Sequence, residues 1–505
     1  MKYFIPAWYQ GDKWWRDLHV PFYLKSTRSD FDDMISLMNM HLKNNKPFKL
    51  IHLSYHSGFQ LFLHRNNLYE IDYYSVFDYM QNFPQSTPRA LDFKAFNWPS
   101  ETEFIYTLHI IKAIYLNEVT NIYYNEDGFL VWMEKFIDDV KVARYIFDNR
   151  GFLSSIILYE HEYETAQLFL DIEGDIVFVE DFATNKITIK KHFDKFKYKE
   201  YKDIEQLISE QLQTFIGDKN NYTAIVASDV RHNQVIEEVI PSSSLIFSIF
   251  EKRQIDYLNI SNIKSKIIVD TKLNELSVSK FLPSTQILRI TPFDTQIIPS
   301  ISNQLYIDYI GIFIDNIDDQ FLMQILELLS PLLREEKKYC LKLMTRHNLI
   351  DRNNMIQDMI KQINDQYISS MGDIEDLVEE EIAKMEVIKV EFIPFETDLL
   401  KLISELRIMV DLGKEPDLYI QIGSISTGIP QINYIKTDYV LNEYNGIIIE
   451  KPQDLLPALN HYLKSLKNWN ISRNYSFKLI DKYSSENIIN KIDQFIKGDI
   501  YGKKI

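Results

Sequence analysis

Between Asp417 and Leu466 three short apolar runs follow one another closely: DLYIQIG, QINYI and Gly446-Ile-Ile-Ile-Glu450. Thr427-Gly428-Ile429-Pro430 separates the first two, and an Asn-Gly turn opens the third. Runs this short, rich in isoleucine and apolar on both faces, suit strands buried in a parallel sheet. A helical segment follows from Asp454, a plausible cap, with Pro457 still in the first turn. Its Leu455, Leu456, Leu459, Tyr462, Leu463 and Leu466 fall on one face. The stretch therefore predicts the closing half of a nucleotide-binding-type α/β domain, with the helix packed back on the sheet.

The rest of the chain predicts a second domain of the same kind and an insertion. A strand from Tyr3 to Tyr9, a helix from about Asp30 to Leu42 and the strand KLIHLSY make a first α/β unit. From Phe152 to Tyr198 the period changes to two: SSIILYE, ETAQLFLD, DIVFVEDF and KITIKKHF read as a four-stranded antiparallel meander. The α/β pattern returns at TAIVASD, SLIFSIF and SKIIVD. A later domain opens with YIDYIGIFID and alternates CLKLMTR and VIKVEFIPF with helices, the last from Asp398 to Val410. The expected class is α/β, two doubly wound Rossmann-like domains with an inserted antiparallel β-meander. Expected boundaries are 1–150 with 220–295 for the N-terminal Rossmann-like domain, 151–219 for the meander, 296–475 for the C-terminal Rossmann-like domain and 476–505 for a helical tail. Deleting Ser154 to Lys191 is then expected to spare the fold.

The order strand, Gly-x-Pro turn, strand, Asn-Gly turn, strand and helix resembles the donor domain of GT-B glycosyltransferases. The resemblance implies a GT-B-like arrangement and a final helix that returns to the N-terminal domain. In those enzymes a loop after a strand carries one carboxylate, a helix carries a second that holds the donor ribose, and Gly-x-Pro follows. Counting back from Gly428 puts Gly423 in the second place. Glu415 has the spacing of the first, but with DLYIQIG as a strand it lies at the wrong end, and the helix is missing. A sugar-nucleotide diphosphate also needs Arg or Lys near the first strand ends. The loop Asp315 to Asp319 is acidic there, which leaves Arg346, after the next strand, as an anion contact. No catalytic residue and no cofactor is expected.

Other chemistry finds little support. The chain has 55 Lys and Arg against 72 Asp and Glu, a net charge of -17, which argues against nucleic acid or anionic lipid as the main partner. Cys340 is the single cysteine and heads a predicted buried strand, so it reads as core. Gln10, Asp12 and Lys13 interrupt any signal-peptide core, and no stretch approaches the roughly 18 apolar residues of a membrane span. A cytoplasmic protein is expected. No G-x-G-x-x-G or P-loop is present, and Gly423 to Gly428 is one residue too long for a nucleophile elbow. His52 and His56 bracket a strand end, and Asp171 to Asp175 reads as a hairpin turn, so no metal is expected. Glu375 to Glu381 reads as a solvated acidic helix face or one that meets a basic partner. The positive signal is aromatic: among 31 Tyr, 31 Phe and 6 Trp, Trp8, Trp14 and Trp15 gather after the first strand. Their faces suit sugar rings, so Trp8, Trp14, Trp15 and Arg346 are the candidate glycan contacts.

Several blocks together resemble one family. MKYFIPAWY, the FDD of Phe31 to Asp33, FLHR at Phe62 to Arg65, YSVFD at Tyr74 to Asp78, ITPFDT at Ile290 to Thr295 and the TGIPQIN turn are similar to the first member of the accessory Sec system proteins. That resemblance implies a GT-B-like, non-catalytic protein. It also implies work with the other accessory Sec proteins and the accessory SecA motor in exporting serine-rich repeat glycoprotein adhesins of Gram-positive bacteria. Membrane association is then expected only through partners, at the inner face. An active glycosyltransferase, or the non-catalytic subunit of a glycosyltransferase pair acting on a Ser-rich protein, stays open as the alternative.

Overall fold

The computed structural model describes residues 1–9, 11, 13–16, 21, 31–217, 219–250, 253, 265–347, 354–370, 385–393 and 396–498. The acidic run 375–381 lies outside them. The chain divides into two compact units, one holding the N-terminal strand with Asp32–Ile290, the other Thr291–Gln494.

In the first unit β1 (Lys2–Ile5), β2 (Phe48–His52) and β3 (Tyr73–Ser75) precede ten antiparallel strands, from β4 (Glu103–Tyr106) to β13 (Glu200–Tyr201). After these come β14 (Thr223–Ala227), β15 (Leu245–Ile249), β16 (Lys266–Val269) and β17 (Ile287–Arg289). The parallel sheet runs β17-β16-β15-β14-β1-β2-β3. Lys2–Ile5 pair with Thr223–Val226 on one side and Lys2–Phe4 with Phe48–Leu50 on the other, so strand order reverses beside β1.

The insertion is larger than its sequence suggests. The four-stranded meander is part of a ten-stranded sheet, and VTNIYYN and FLVWMEKF belong to it as β6 (Glu118–Tyr124) and β7 (Leu130–Ile137). The sheet therefore starts at Glu103, inside the stretch assigned to the N-terminal domain. In β7 the first five residues are all buried, so no alternation marks it. Leu130 and Met133 of β7 pack with Phe93, while Val131 and Trp132 join the main core. That core unites Tyr3, Ile5 and Val226 of the parallel sheet with Phe169, Phe178 and Ile187 of the antiparallel one. The helix α1 (Ile204–Ile216) adds Leu207, Ile208 and Leu212.

The second unit has six parallel strands: β18 (Asp308–Phe313), β19 (Tyr339–Thr345), β20 (Ile388–Phe392), β21 (Leu406–Asp411), β22 (Gln431–Asn433) and β23 (Gly446–Ile448). Their order is β20-β19-β18-β21-β22-β23, the doubly wound arrangement with its reversal between β18 and β21. The helix α2 (Asp319–Glu335) follows β18, α3 (Glu396–Glu405) follows β20, and α4 (Leu418–Thr427) follows β21.

Two neighbouring segments differ from expectation. DLYIQIG is not a strand but the start of α4. The strand before it is LRIMVD, which the sequence had placed at the end of a helix; α3 stops at Glu405. The Asp417 side chain accepts from the Ile420 amide (2.9 Å) and caps α4, a contribution of about 1 kcal/mol. Gly428, at φ 72°, closes the helix in the left-handed conformation. Every residue from Ile420 to Thr427 is buried, so no polar face marks the helical period. Isoleucine lowers helix propensity by a few tenths of a kcal/mol, and burying each one returns about 2 kcal/mol, so packing decides.

The later helix is shorter than expected: α5 (Leu455–Leu463) keeps Leu455, Leu459, Tyr462 and Leu463 in the core, while Leu466 is exposed and begins α6 (Leu466–Lys482). Then comes α7 (Ser485–Lys497). Its residues from Phe495 onward group with the first unit, where Lys266 Nζ donates to the Phe495 (2.6 Å) and Ile496 (3.1 Å) carbonyls.

Candidate functional site

Ligands of doubly wound sheets sit outside the carboxyl ends of the strands where strand order reverses. In the second unit that place is flanked by the loops after β18 and β21, and the loops fill it. A Cβ added at Gly413 would lie 2.7 Å from Asn316 Cβ, and Asn316 Nδ2 donates to the Glu415 carbonyl (2.7 Å). A cavity of about 170 Å³ remains, lined by Asn316, Ile317, Phe321, Leu412, Tyr434 and their neighbours. Sites for drug-sized ligands run from about 300 to 1,000 Å³, so this one is too small for a sugar nucleotide.

The charges there are already matched to one another. Arg346 pairs with Asp417 and lies over the Phe313 ring (5.2 Å), and its amide donates to Asp315 Oδ2 (2.9 Å). Asp315 Oδ1 also accepts from Thr345 Oγ1 (2.5 Å). Asp411, the last residue of β21, is 2% exposed. Its Oδ2 accepts from the Asp417 amide (3.0 Å) and Gln421 Nε2 (3.3 Å), and its Oδ1 from the Gly413 amide (3.3 Å). Burial first, then the nearby charge of Asp417, pushes the Asp411 carboxyl up to about 7. The Arg346 guanidinium is thus already engaged by Asp417, which leaves it less available to a diphosphate.

The corrected helix moves the donor-site comparison. Glu415 lies after β21 and before α4, the end at which GT-B enzymes carry their first carboxylate, and the helix for the second is present. Gly423 sits within it. A Cβ there would lie 3.1 Å from both Ile403 Cδ1 and Leu400 Cδ2 of α3, so the position is uncharged and closely packed. Asp411 went unnoticed in the sequence because its strand was assigned to the preceding helix; an apolar run ending in Asp-Leu-Gly was the available signal.

The aromatic candidates belong to the first unit. Trp14, expected to be open to a ligand, is buried: it is 2% exposed, its indole donates to Glu205 Oε1 (2.9 Å), and its ring packs on Tyr9 (4.9 Å). The Tyr9 hydroxyl meets His232 Nδ1 (2.7 Å), and burial depresses the His232 imidazole to about 4, which keeps it neutral. Trp8 and Trp15 are half-buried, Trp8 against Phe62 (4.6 Å), with Trp15 lending its carbonyl to the Tyr55 amide (2.8 Å). Arg346 lies in the other unit.

The weaker motifs resolve into packing. His52 is buried and stacked on Phe59 (4.1 Å), and burial holds it neutral. Asp171, Glu173 and Asp175 converge on Lys191 Nζ, at 2.6, 2.9 and 2.8 Å, so a lysine occupies the centre of the turn. Cys340 is buried on β19, and burial pushes its thiol up to about 11.

A family model for the first of the accessory Sec system proteins matches residues 1–499. The accessory Sec system protein of that family from Staphylococcus aureus (strain NCTC 8325 / PS 47) is 39% identical over 515 residues, 99% of each chain. Among solved structures, accessory secretory protein 1,2 and 3 of Streptococcus pneumoniae gives a TM-score of 0.78 at 26% identity, covering 98% of this chain and 99% of that one. The pneumococcal O-GlcNAc transferase GtfA in complex with UDP and GlcNAc gives 0.67 at 10% identity, covering 99% of both chains, a likeness of fold alone.

Proposed function

The chain belongs to this family of accessory Sec system proteins, and from that membership we propose that it is a non-catalytic component of the export route, which binds the other accessory Sec proteins and a glycosylated serine-rich repeat adhesin. The fold is that of glycosyltransferases, so what must be explained is why it would carry no transfer chemistry. One observation carries the reading: at Gly423 the helix that would hold the donor ribose has no carboxylate, and the Leu400 and Ile403 side chains crowd the position. The engaged Arg346 and the narrow cavity agree with it. Of the aromatic candidates, Trp8 and Trp15 are half-buried and not fully enclosed, which supports a glycan contact in the first unit. The relative from Streptococcus pneumoniae was solved with accessory secretory proteins 1, 2 and 3 together, which supports those proteins as partners here.

The test has two arms. Titration of UDP-GlcNAc and UDP-glucose at millimolar concentration, with a radiolabelled transfer assay on Ser-rich peptides, should give no saturable binding and no turnover. An in-frame deletion should retain the adhesin in the cytosol with its first GlcNAc present by lectin blotting. Turnover above buffer, or retained adhesin that lacks its first sugar, would favour a transferase or a transferase subunit.

A further inference from the structure

From Leu455 to Ile480 the chain has no Asp or Glu, although it holds 72 in 505 residues, about one in seven. The gap covers most of α6, whose single acid is Asp481. At 3.6 residues per turn Lys467, Ile471, Asn474, Lys478 and Lys482 fall in one row about 22 Å long, and all five are exposed. A solvated helix face ordinarily sets acids three or four residues from its bases. Around Lys467 and Lys478 those places hold Asn470, Ile471, Asn474 and Tyr475, with Asp481 the exception. Among the described residues none of the three lysines has a carboxylate partner. Cations continue on α7, where burial first and then the like charge of Lys482 lower the Lys491 ammonium. Beside the row Tyr475 packs on Tyr444 (4.8 Å), which is 56% exposed, and Ile471 within the row is 51% exposed. Arg473 lies off the row, over Trp469 (5.6 Å) and Phe477 (5.4 Å).

We propose that this face of α6 is a docking rail for an extended acidic segment of a partner protein. The inference rests on the binding role proposed above, to which it adds a surface and the chemistry of what lies on it. Lys478 and Lys482 stand one turn apart, about 6 Å along the axis, and alternate side chains of an extended strand repeat every 6.6 Å, roughly the same step. Carboxylates at alternate positions therefore meet the lysines in register, and an apolar or aromatic side chain of the segment covers Ile471 and the tyrosine pair. A lipid surface is the poorer occupant. A plane meets a whole side of a chain with net charge -17, whereas a peptide meets only what lies within the screening length of about 8 Å.

Fluorescence anisotropy on the full chain reads the docking, with a labelled peptide of about seven residues, enough to span the row, that alternates Glu with Tyr or Leu. Binding should saturate, weaken as salt is raised, and vanish for the same peptide with Lys in place of Glu. K467E/K478E should weaken it about tenfold. K43E/K46E makes the same change of net charge at exposed positions of the first unit and should leave binding within about twofold. No saturable binding, equal losses in the two variants, or lysine-dependent binding to phosphatidylserine vesicles with none to the peptide would each overturn the rail. If the peptide fails while the chain still co-purifies with the other accessory Sec proteins, the rail is wrong and the function proposed above stands; if both fail, that reading falls with it.

Discussion

At the scale of single residues, Gly423 stands where the GT-B donor pattern has its second carboxylate. Gly423 is enclosed by Leu400 and Ile403, so a glutamate there would crowd a filled core and bury a charge among aliphatic groups. G423E should lose about 3 kcal/mol of stability in urea denaturation and still not bind UDP-GlcNAc. A variant as stable as wild type that binds the nucleotide sugar would show that only the carboxylate had been lost. Asp411 also makes a prediction for the whole fold. Its folded-state carboxyl, at about 7, lies above the unfolded value of about 3.9, so between these pH values the native chain binds the extra proton. Its contribution is most favourable below about pH 4. Stability should then fall as pH rises from about 4 to about 7 and stay level above, by a few kcal/mol at most. Urea midpoints across that range should lose this component in D411N; an identical pH slope in the two proteins would place Asp411 in ordinary surroundings.

At the scale of elements, the antiparallel sheet is not a removable module. Deleting Ser154 to Lys191 takes out most of β9 (Phe152–Glu160) and all of β10 (Tyr163–Leu170), β11 (Ile176–Asp181) and β12 (Ile187–Ile189). With them go Phe169, Val177, Phe178 and Ile187, which are buried against Tyr3, Ile5 and Val226 of the parallel sheet. Each such side chain contributes about 2 kcal/mol by burial, and small domains have only about 5–15 kcal/mol in total. The deletion should therefore leave the first unit without a cooperative transition, measured by urea titration of tryptophan fluorescence. A sharp transition at the wild-type midpoint would mean that the parallel sheet stands alone. The expectation that the deletion spares the fold came from treating the alternating strands as separate from the sheet they cover.

Across the whole molecule, sequence determined the features that depend on local order and on sums over the chain. The net charge, the lone cysteine and the run of β/α units gave the class, and no helix among the described residues is long and apolar enough to cross a membrane. The family blocks, spread from MKYFIPAWY to TGIPQIN, were legible because they are short linear strings, and the matched family spans residues 1–499. The six-strand count of the second unit was also legible, but through one false strand, since DLYIQIG stood in for LRIMVD. Where a segment is buried on all sides, neither the helical nor the strand period leaves a polar trace, and α4 reads as a strand for that reason. Tertiary structure alone decided the site. It placed Glu415 at the carboxyl end of β21, packed Gly423 against α3, bound Arg346 to Asp417 and put Trp14 in the core. Such contacts join residues far apart in the chain, and a sequence states which groups are present without stating which of them have already met one another.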